Sequence, residues 1–90
     1  MIRQPSYTEQ VEKVLDQLVA DADVQLLNAV CDAIDLICDH GDTAAARREQ
    51  LLTLIEILVW KVAVRDSRSN WSVLWWPQGE IARIYYIGEI

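Results

Sequence analysis

The sequence predicts an α+β domain, in which an N-terminal helix hairpin packs on a three- to four-stranded antiparallel β-sheet. Two observations indicate this fold. Residues 7–39 carry apolar side chains at helical spacing. Residues 58–87 hold three runs rich in β-branched and aromatic residues, separated by short polar breaks. Ninety residues are enough for one core, so 1–90 is expected to be a single domain.

The first helix is predicted over residues 7–20. Ser6 and Glu9 have the spacing of a capping box, in which each side chain satisfies a free backbone N–H at the helix start. The apolar side chains that follow recur at helical spacing and are Val11, Val14, Leu15, Leu18 and Val19.

The second helix is predicted over residues 23–39. Asp23 can cap its N-terminus, and Gly41 lies just past its end, where helices commonly stop. Only three residues, 21–23, separate the two apolar stripes. We therefore expect an antiparallel helix hairpin that presents both stripes to one sheet.

Residues 43–58 are ambiguous. Residues 43–50 have high helix propensity, and the apolar residues after them can continue a helical face, so a third helix is predicted over 43–56. The stretch Leu54–Leu58 fits the beginning of a strand equally well.

Strands are predicted over 58–65, 71–76 and 81–87, with the turn between the last two at 77–80. This register pairs Trp76 with Ile81 and Asp66 with Trp71. It gives one wholly apolar or aromatic face, which the helices should cover: Trp60, Val62, Val64, Trp71, Val73, Trp75, Ala82, Ile84 and Tyr86. A slip of one residue would bury Lys61 and Arg65 among tryptophans at a prohibitive desolvation cost.

Charge is unevenly distributed along the chain. The net charge is −6, with nine acidic and two basic residues in 1–42 and five acidic and six basic residues in 43–90. An acidic protein is poorly suited to tight, sequence-blind binding of nucleic acid, because phosphate neutralisation supplies most of that affinity.

No cofactor or metal site is predicted. Cys31 and Cys38 lie on the apolar stripe of the second helix, and His40 lies at its end, where it can cap carbonyls. The first residues lack the apolar stretch of a signal peptide, so none is expected, and no apolar window is long enough for a membrane span. We therefore expect a cytoplasmic protein that does not bind membranes.

The second sheet face is the candidate site. Its substrate- or partner-binding residues are expected to be Lys61, Arg65, Leu74, Trp76, Ile81, Arg83 and Tyr85. Cations beside aromatic rings suit phosphates and stacked bases. The same face could instead receive a partner's helix or strand or a second copy in a homodimer, or be an inert surface along which the cations extend.

The C-terminal strands resemble a known family. Val-Trp-Lys-Val-Ala-Val-Arg at 59–65, Trp-Ser-Val-Leu-Trp at 71–75 and Ile-Ala-Arg-Ile-Tyr-Tyr-Ile-Gly at 81–88 are similar to the meander of the RelE/ParE superfamily of bacterial toxins. The resemblance implies a first strand within Ile2–Ser6. It also implies a toxin that acts on ribosome-bound mRNA or on DNA gyrase and is neutralised by a cognate antitoxin.

For the ribonuclease branch, the resemblance implies catalytic roles for basic residues on the open face, with Lys61, Arg65 and Arg83 as the candidates here. The chain departs from that pattern. Ser72 stands where the family's strand arginine is expected, and the terminal basic residues are replaced or missing, with Glu89 near the end. The alternative is therefore a catalytically inactive protein of this fold, of phage or plasmid origin, that binds and inhibits a host protein.

Overall fold

Two helices pack on one face of a five-stranded sheet, which confirms the predicted α+β fold. The computed structural model describes residues 2–53, 55–66, 68 and 70–89. In chain order the elements are β1 (Gln4–Tyr7), α1 (Glu9–Ala20), α2 (Val24–His40), β2 (Glu49–Leu52), β3 (Leu58–Ala63), β4 (Trp71–Gln78) and β5 (Ile81–Glu89).

The sheet has the strand order β1-β5-β4-β3-β2. The predicted meander is confirmed, because β3, β4 and β5 pair antiparallel in sequence order. Two strands extend it. β2 pairs antiparallel with β3 at one edge, and β1 pairs parallel with β5 at the other. The sheet is therefore mixed and has one strand more than the upper predicted number.

The start of α1 differs from the prediction. Ser6 and Tyr7 belong to β1, so the capping box is not formed and the N-cap is Thr8. The Thr8 hydroxyl oxygen accepts a hydrogen bond from the Val11 N–H and donates one to the Tyr85 carbonyl (2.8 Å). One side chain thus caps the helix and attaches it to β5.

The N-terminus of α2 is capped as predicted. A carboxylate oxygen of Asp23 accepts the Leu26 N–H at 3.2 Å. Gly41 follows the last helical residue, as predicted, but with an ordinary right-handed φ of −63°. Glycine is required there for space, since a Cβ would lie 2.5 Å from the Ile37 carbonyl oxygen and 3.1 Å from the Trp75 ring.

The third helix predicted over 43–56 is wrong. Residues 43–48 form turns, 49–52 form β2, and Leu54 lies outside the described residues. The helix propensity of the alanines is overridden because Leu51 and its neighbours pair with β3. The local sequence carries no trace of that pairing.

The prediction of which residues lie on the helix-covered face of the sheet is confirmed for eight of the nine residues. The β3–β4 hairpin is displaced by two residues from the predicted register. The part of the β4–β5 hairpin next to the turn is also displaced by two, so that Trp76 pairs with Arg83 instead of Ile81. The β4–β5 turn holds only Gly79 and Glu80, and the φ of +60° at Gly79 suits glycine. A shift of two leaves every side chain on its predicted face. The confirmed residues are buried or packed against the core: Trp60, Val62, Val64, Trp71, Val73, Trp75, Ala82 and Ile84.

Tyr86 is the exception. The β4–β5 pairing is irregular between Leu74 and Trp75: Trp75 pairs with Ile84, whereas Leu74 pairs with Tyr86. The extra residue on β5, Tyr85, makes a β-bulge. Beyond it the faces exchange, so Ile87 takes the core position predicted for Tyr86 and is fully buried.

Candidate functional site

The candidate site is the sheet face that the helices leave uncovered, here called the open face. Six of the seven predicted site residues project from β3, β4 or β5 on this side: Lys61, Leu74, Trp76, Ile81, Arg83 and Tyr85. Tyr86 joins them because it is the cross-strand partner of Leu74. Arg65 follows the end of β3 and lies elsewhere, in a groove against α2.

An aromatic pair lies on the open face where β4 and β5 are adjacent. The rings of Trp76 and Tyr85 lie 5.6 Å apart between centroids and are tilted by 54°. Both side chains are half-buried. This geometry belongs to the favourable range for aromatic pairs, and each ring keeps surface with which to contact a ligand.

Arg83 lies beside this pair, as the cross-strand neighbour of Trp76. Its guanidinium donates a hydrogen bond to the Ser6 hydroxyl on β1 at 2.7 Å, which fixes the direction of the side chain. No carboxylate of the described residues lies within ion-pair distance of Arg83. The group therefore presents a positive charge next to two aromatic rings.

Lys61 occupies a different environment. Its ammonium group forms an ion pair with Glu49 on β2 at 3.5 Å, and only 25% of its side chain is exposed. Leu74, its partner on β4, is buried and separates it from the side of the face that holds Arg83. The three predicted basic residues therefore do not converge on one point. Lys61 on β3 is paired with Glu49, Arg83 lies two strands away on β5, and Arg65 lies in the groove against α2.

Sequence reasoning missed Tyr86 on this face, although a signal was present. Ile84 and Ile87 are both core residues and are three apart, which breaks the period of two expected for a regular strand. A spacing of three between buried residues indicates a bulge. That observation would have put Tyr85 and Tyr86 on the open face together.

A charge network around the buried Arg3 was also missed. Only 8% of the Arg3 side chain is exposed. Its guanidinium donates hydrogen bonds to the Gly79 carbonyl and to the Asp42 carboxylate, both at 3.1 Å. Arg47 donates to the same Asp42 oxygen at 2.9 Å and to the Gly41 carbonyl at 2.7 Å. The Arg3 hydrogen bond is the main cause of a lowered pKa at the Asp42 carboxyl.

The same network attaches the 43–48 turns to the sheet. The Arg47 guanidinium lies 5.7 Å from the ring centroids of Trp60 and Trp75. The Trp75 indole N–H donates to the Ala46 carbonyl at 3.2 Å. These contacts hold the segment between α2 and β2 in one position, and no local motif in the sequence predicts them.

A second group of charged side chains fixes the N-terminal end of α2, and each of these two charged groups is here called a clamp. Arg68 donates to the carboxylates of Asp66 and Asp23, with the shortest contacts at 2.9 Å. The side chain of Asp66 is 1% exposed, and that of Asp23 also caps α2. Hydrogen bonds from Arg68 lower the pKa values of both carboxyls.

Comparisons with known proteins leave the family resemblance a prediction. No protein-family model, curated protein or solved structure matches this chain. In the part of the chain that the structure describes, no helix is long and apolar enough to cross a membrane, and no cluster of side chains has the composition of a metal site.

Proposed function

We propose that this chain is a RelE/ParE-like protein of a toxin–antitoxin pair, which acts by binding a protein target through the open face. A cognate antitoxin would cover the same face. The main observation behind this proposal is the half-buried Trp76–Tyr85 pair, beside which Arg83 forms no ion pair with a described carboxylate. Tryptophan, tyrosine and arginine are the residues that most often dominate protein–protein binding energy.

Charge supports a protein target. The chain carries a net charge of −6, and the Lys61 ammonium is already neutralised by Glu49. A surface of this kind gains little from the phosphate neutralisation that nucleic-acid binding depends on. The exposed Ile81 adds apolar area to the same face, which suits a partner side chain.

Cleavage of ribosome-bound mRNA is the second candidate. Arg83 beside Trp76 and Tyr85 could hold a phosphate while a base stacks on a ring. The separation of Lys61 from Arg83 favours binding over catalysis, since activation of a hydroxyl and stabilisation of a phosphorane need groups that act on the same few atoms.

Regulated expression in a bacterium distinguishes the two candidates. Growth and cellular mRNA would be followed for the wild-type chain and for a Lys61→Ala/Arg65→Ala/Arg83→Ala variant, with Lys13→Ala on the exposed side of α1 as the matched control. Growth arrest without new mRNA ends supports the protein target. New mRNA ends that the triple variant abolishes would instead establish the ribonuclease, and normal growth with the wild-type chain would contradict both forms of toxin.

A further inference from the structure

The edge of β3 that faces away from β4 is free beyond its first four residues. β2 begins at Glu49, which pairs with Lys61, and no described strand pairs with the residues of β3 after Lys61 on this side. The Val64 N–H donates to the Trp71 carbonyl across to β4 at 2.9 Å. Because successive residues of a strand direct their N–H groups to opposite sides, the Ala63 N–H points to the free edge.

A groove runs between this edge and α2. Its volume is about 360 Å³, and its apolar walls are Ala29, Ala33, Leu36, Ala45, Val62 and Ala63. Four of these six side chains are alanines, so the walls leave room for larger apolar side chains from elsewhere. The Arg47 contacts described above hold the turn that supplies Ala45, so the groove is formed without a ligand.

One end of the groove is basic. A second hollow of about 170 Å³ continues it toward Arg48 and Lys61, with Arg65 lining both hollows. Glu49 also lines this hollow, where it is paired with Lys61, so Arg48 and Arg65 supply its unpaired positive charge. Arg48 and Arg65 are exposed, and no carboxylate of the described residues forms an ion pair with either. The alanine-lined part has one acidic side chain, Asp32, on the opposite wall.

We infer that this groove binds an extended, acidic segment of a protein partner, which adds to the β3 edge as a further strand. Its backbone would pair with Ala63. Its apolar side chains would fill the space between the alanines, and its carboxylates would lie near Arg48 and Arg65.

The charges select this occupant over a second copy of the chain. Two copies paired edge to edge through β3 would bring their own Arg65 side chains into proximity, and like charges across strands are unfavourable. An acidic strand would instead bring carboxylates close to Arg65, and opposite charges across strands are favourable. The groove touches the open face at Lys61, but neither Trp76 nor Tyr85 lines it, so this proposal does not depend on the function of those two rings.

A pair of designed peptides tests the inference. A short acetylated and amidated peptide of alternating valine and glutamate would be titrated into the full chain, with a valine–lysine peptide as the matched probe. Backbone amide signals in nuclear magnetic resonance would locate the binding. We expect saturable binding of the glutamate peptide only, with shifts at 62–65 and none at the Trp76 indole.

Three variants refine the test. Arg65→Glu should weaken the glutamate peptide about fivefold, whereas Lys13→Glu makes the same charge change on α1 and should leave the affinity unchanged. Ala63→Pro removes the free-edge donor and should weaken the binding about tenfold in a protein whose tryptophan fluorescence is native.

Several results would overturn the inference. Equal binding of the two peptides, no saturable binding at millimolar concentration, or shifts confined to the open face would each exclude an acidic strand on this edge. An affinity for the glutamate peptide that neither Arg65→Glu nor Ala63→Pro changes would also exclude it. Shifts at 62–65 that grow with protein concentration alone would identify a second copy as the occupant.

Discussion

Trp75 and Trp76 are neighbours in the chain but belong to regions with opposite properties. Trp75 points to the helix-covered face, is fully buried, and donates its indole N–H to the Ala46 carbonyl. Trp76 points to the open face, is half-buried, and contacts Tyr85. Because strand residues alternate between faces, one step along β4 separates a structural tryptophan from one available to a ligand.

The charged side chains near the two faces also differ in the interactions they make. Around the core face, Arg3, Arg47 and Asp42 are tied to one another and to backbone carbonyls. On the open face, Lys61 is paired with Glu49, whereas the Arg83 guanidinium donates to the Ser6 hydroxyl and forms no ion pair with a described residue. Charge therefore stabilises the fold around the core face, and at Arg83 on the open face it remains available for binding.

The largest effect should come from removing the structural tryptophan. Trp75→Ala is expected to lower the free energy of unfolding by about 3–5 kcal/mol, because it leaves a cavity and removes the hydrogen bond to Ala46. Urea denaturation followed by circular dichroism measures this. A loss no larger than that of Trp76→Ala would contradict the division into two faces.

Gly41→Ala tests how tightly the core face meets the end of α2. The added Cβ would lie 2.5 Å from the Ile37 carbonyl oxygen and 3.1 Å from both the Trp75 ring and Arg3 Nη1. Backbone must move to relieve this contact, so a loss of about 1–3 kcal/mol is expected in the same denaturation experiment. The matched control is Gly79→Ala, where a Cβ meets nothing within 4 Å, so its cost comes from φ alone. Equal stability of wild type and Gly41→Ala would exclude the close packing described here.

Acid should weaken the charged clamps that support the covered side. The pKa values of Asp23, Asp42 and Asp66 are lowered in the folded protein, chiefly by hydrogen bonds from arginine. Their contribution to stability is therefore complete above the unfolded-state pKa of about 3.9, and it is lost as the pH falls through the lower folded values.

Asp66→Asn isolates one of these clamps. The variant should be less stable than wild type at pH 7, and the difference between the two proteins should narrow as the pH is lowered below 4. Urea midpoints at stepped pH values measure both trends. A difference that stays constant through this range would show that the ionised Asp66 carboxylate does not stabilise the fold.

The smallest effect on stability is expected on the open face. Trp76→Ala should lower the free energy of unfolding by about 1 kcal/mol, because the side chain is half-buried and its nearest ring contact is with Tyr85. A much larger loss in the denaturation experiment would place Trp76 in the core and remove the basis for a functional face.

Local patterns in the sequence were sufficient for part of this structure. The helix hairpin, the meander and the faces of eight sheet residues follow from apolar spacing, which is a property of neighbouring residues. The β4–β5 register was displaced because the Gly79–Glu80 turn is shorter than the polar stretch that contains it. The β3–β4 register was displaced because Val64, and not Asp66, is hydrogen-bonded to Trp71. β1 and β2 could not be derived with the same assurance, because each depends on pairing with a strand distant in the chain.

The site was predictable to a similar extent. Six predicted residues lie on the open face because alternation along a strand places them there. The bulge at Tyr85, the pairing of Lys61 with Glu49 and the position of Arg65 against α2 depend on tertiary contacts. No local pattern in the sequence indicates that Arg3 is buried and hydrogen-bonded to Asp42.

Growth of a bacterium that expresses the Trp76→Ala/Tyr85→Ala variant tests whether the open face is the functional surface. Wild-type protein and the Lys13→Ala control are expected to arrest growth, whereas the double variant is not, although it accumulates as folded protein to the same level. Growth arrest by a folded double variant equal to that of wild type would contradict the assignment of the open face as the functional surface.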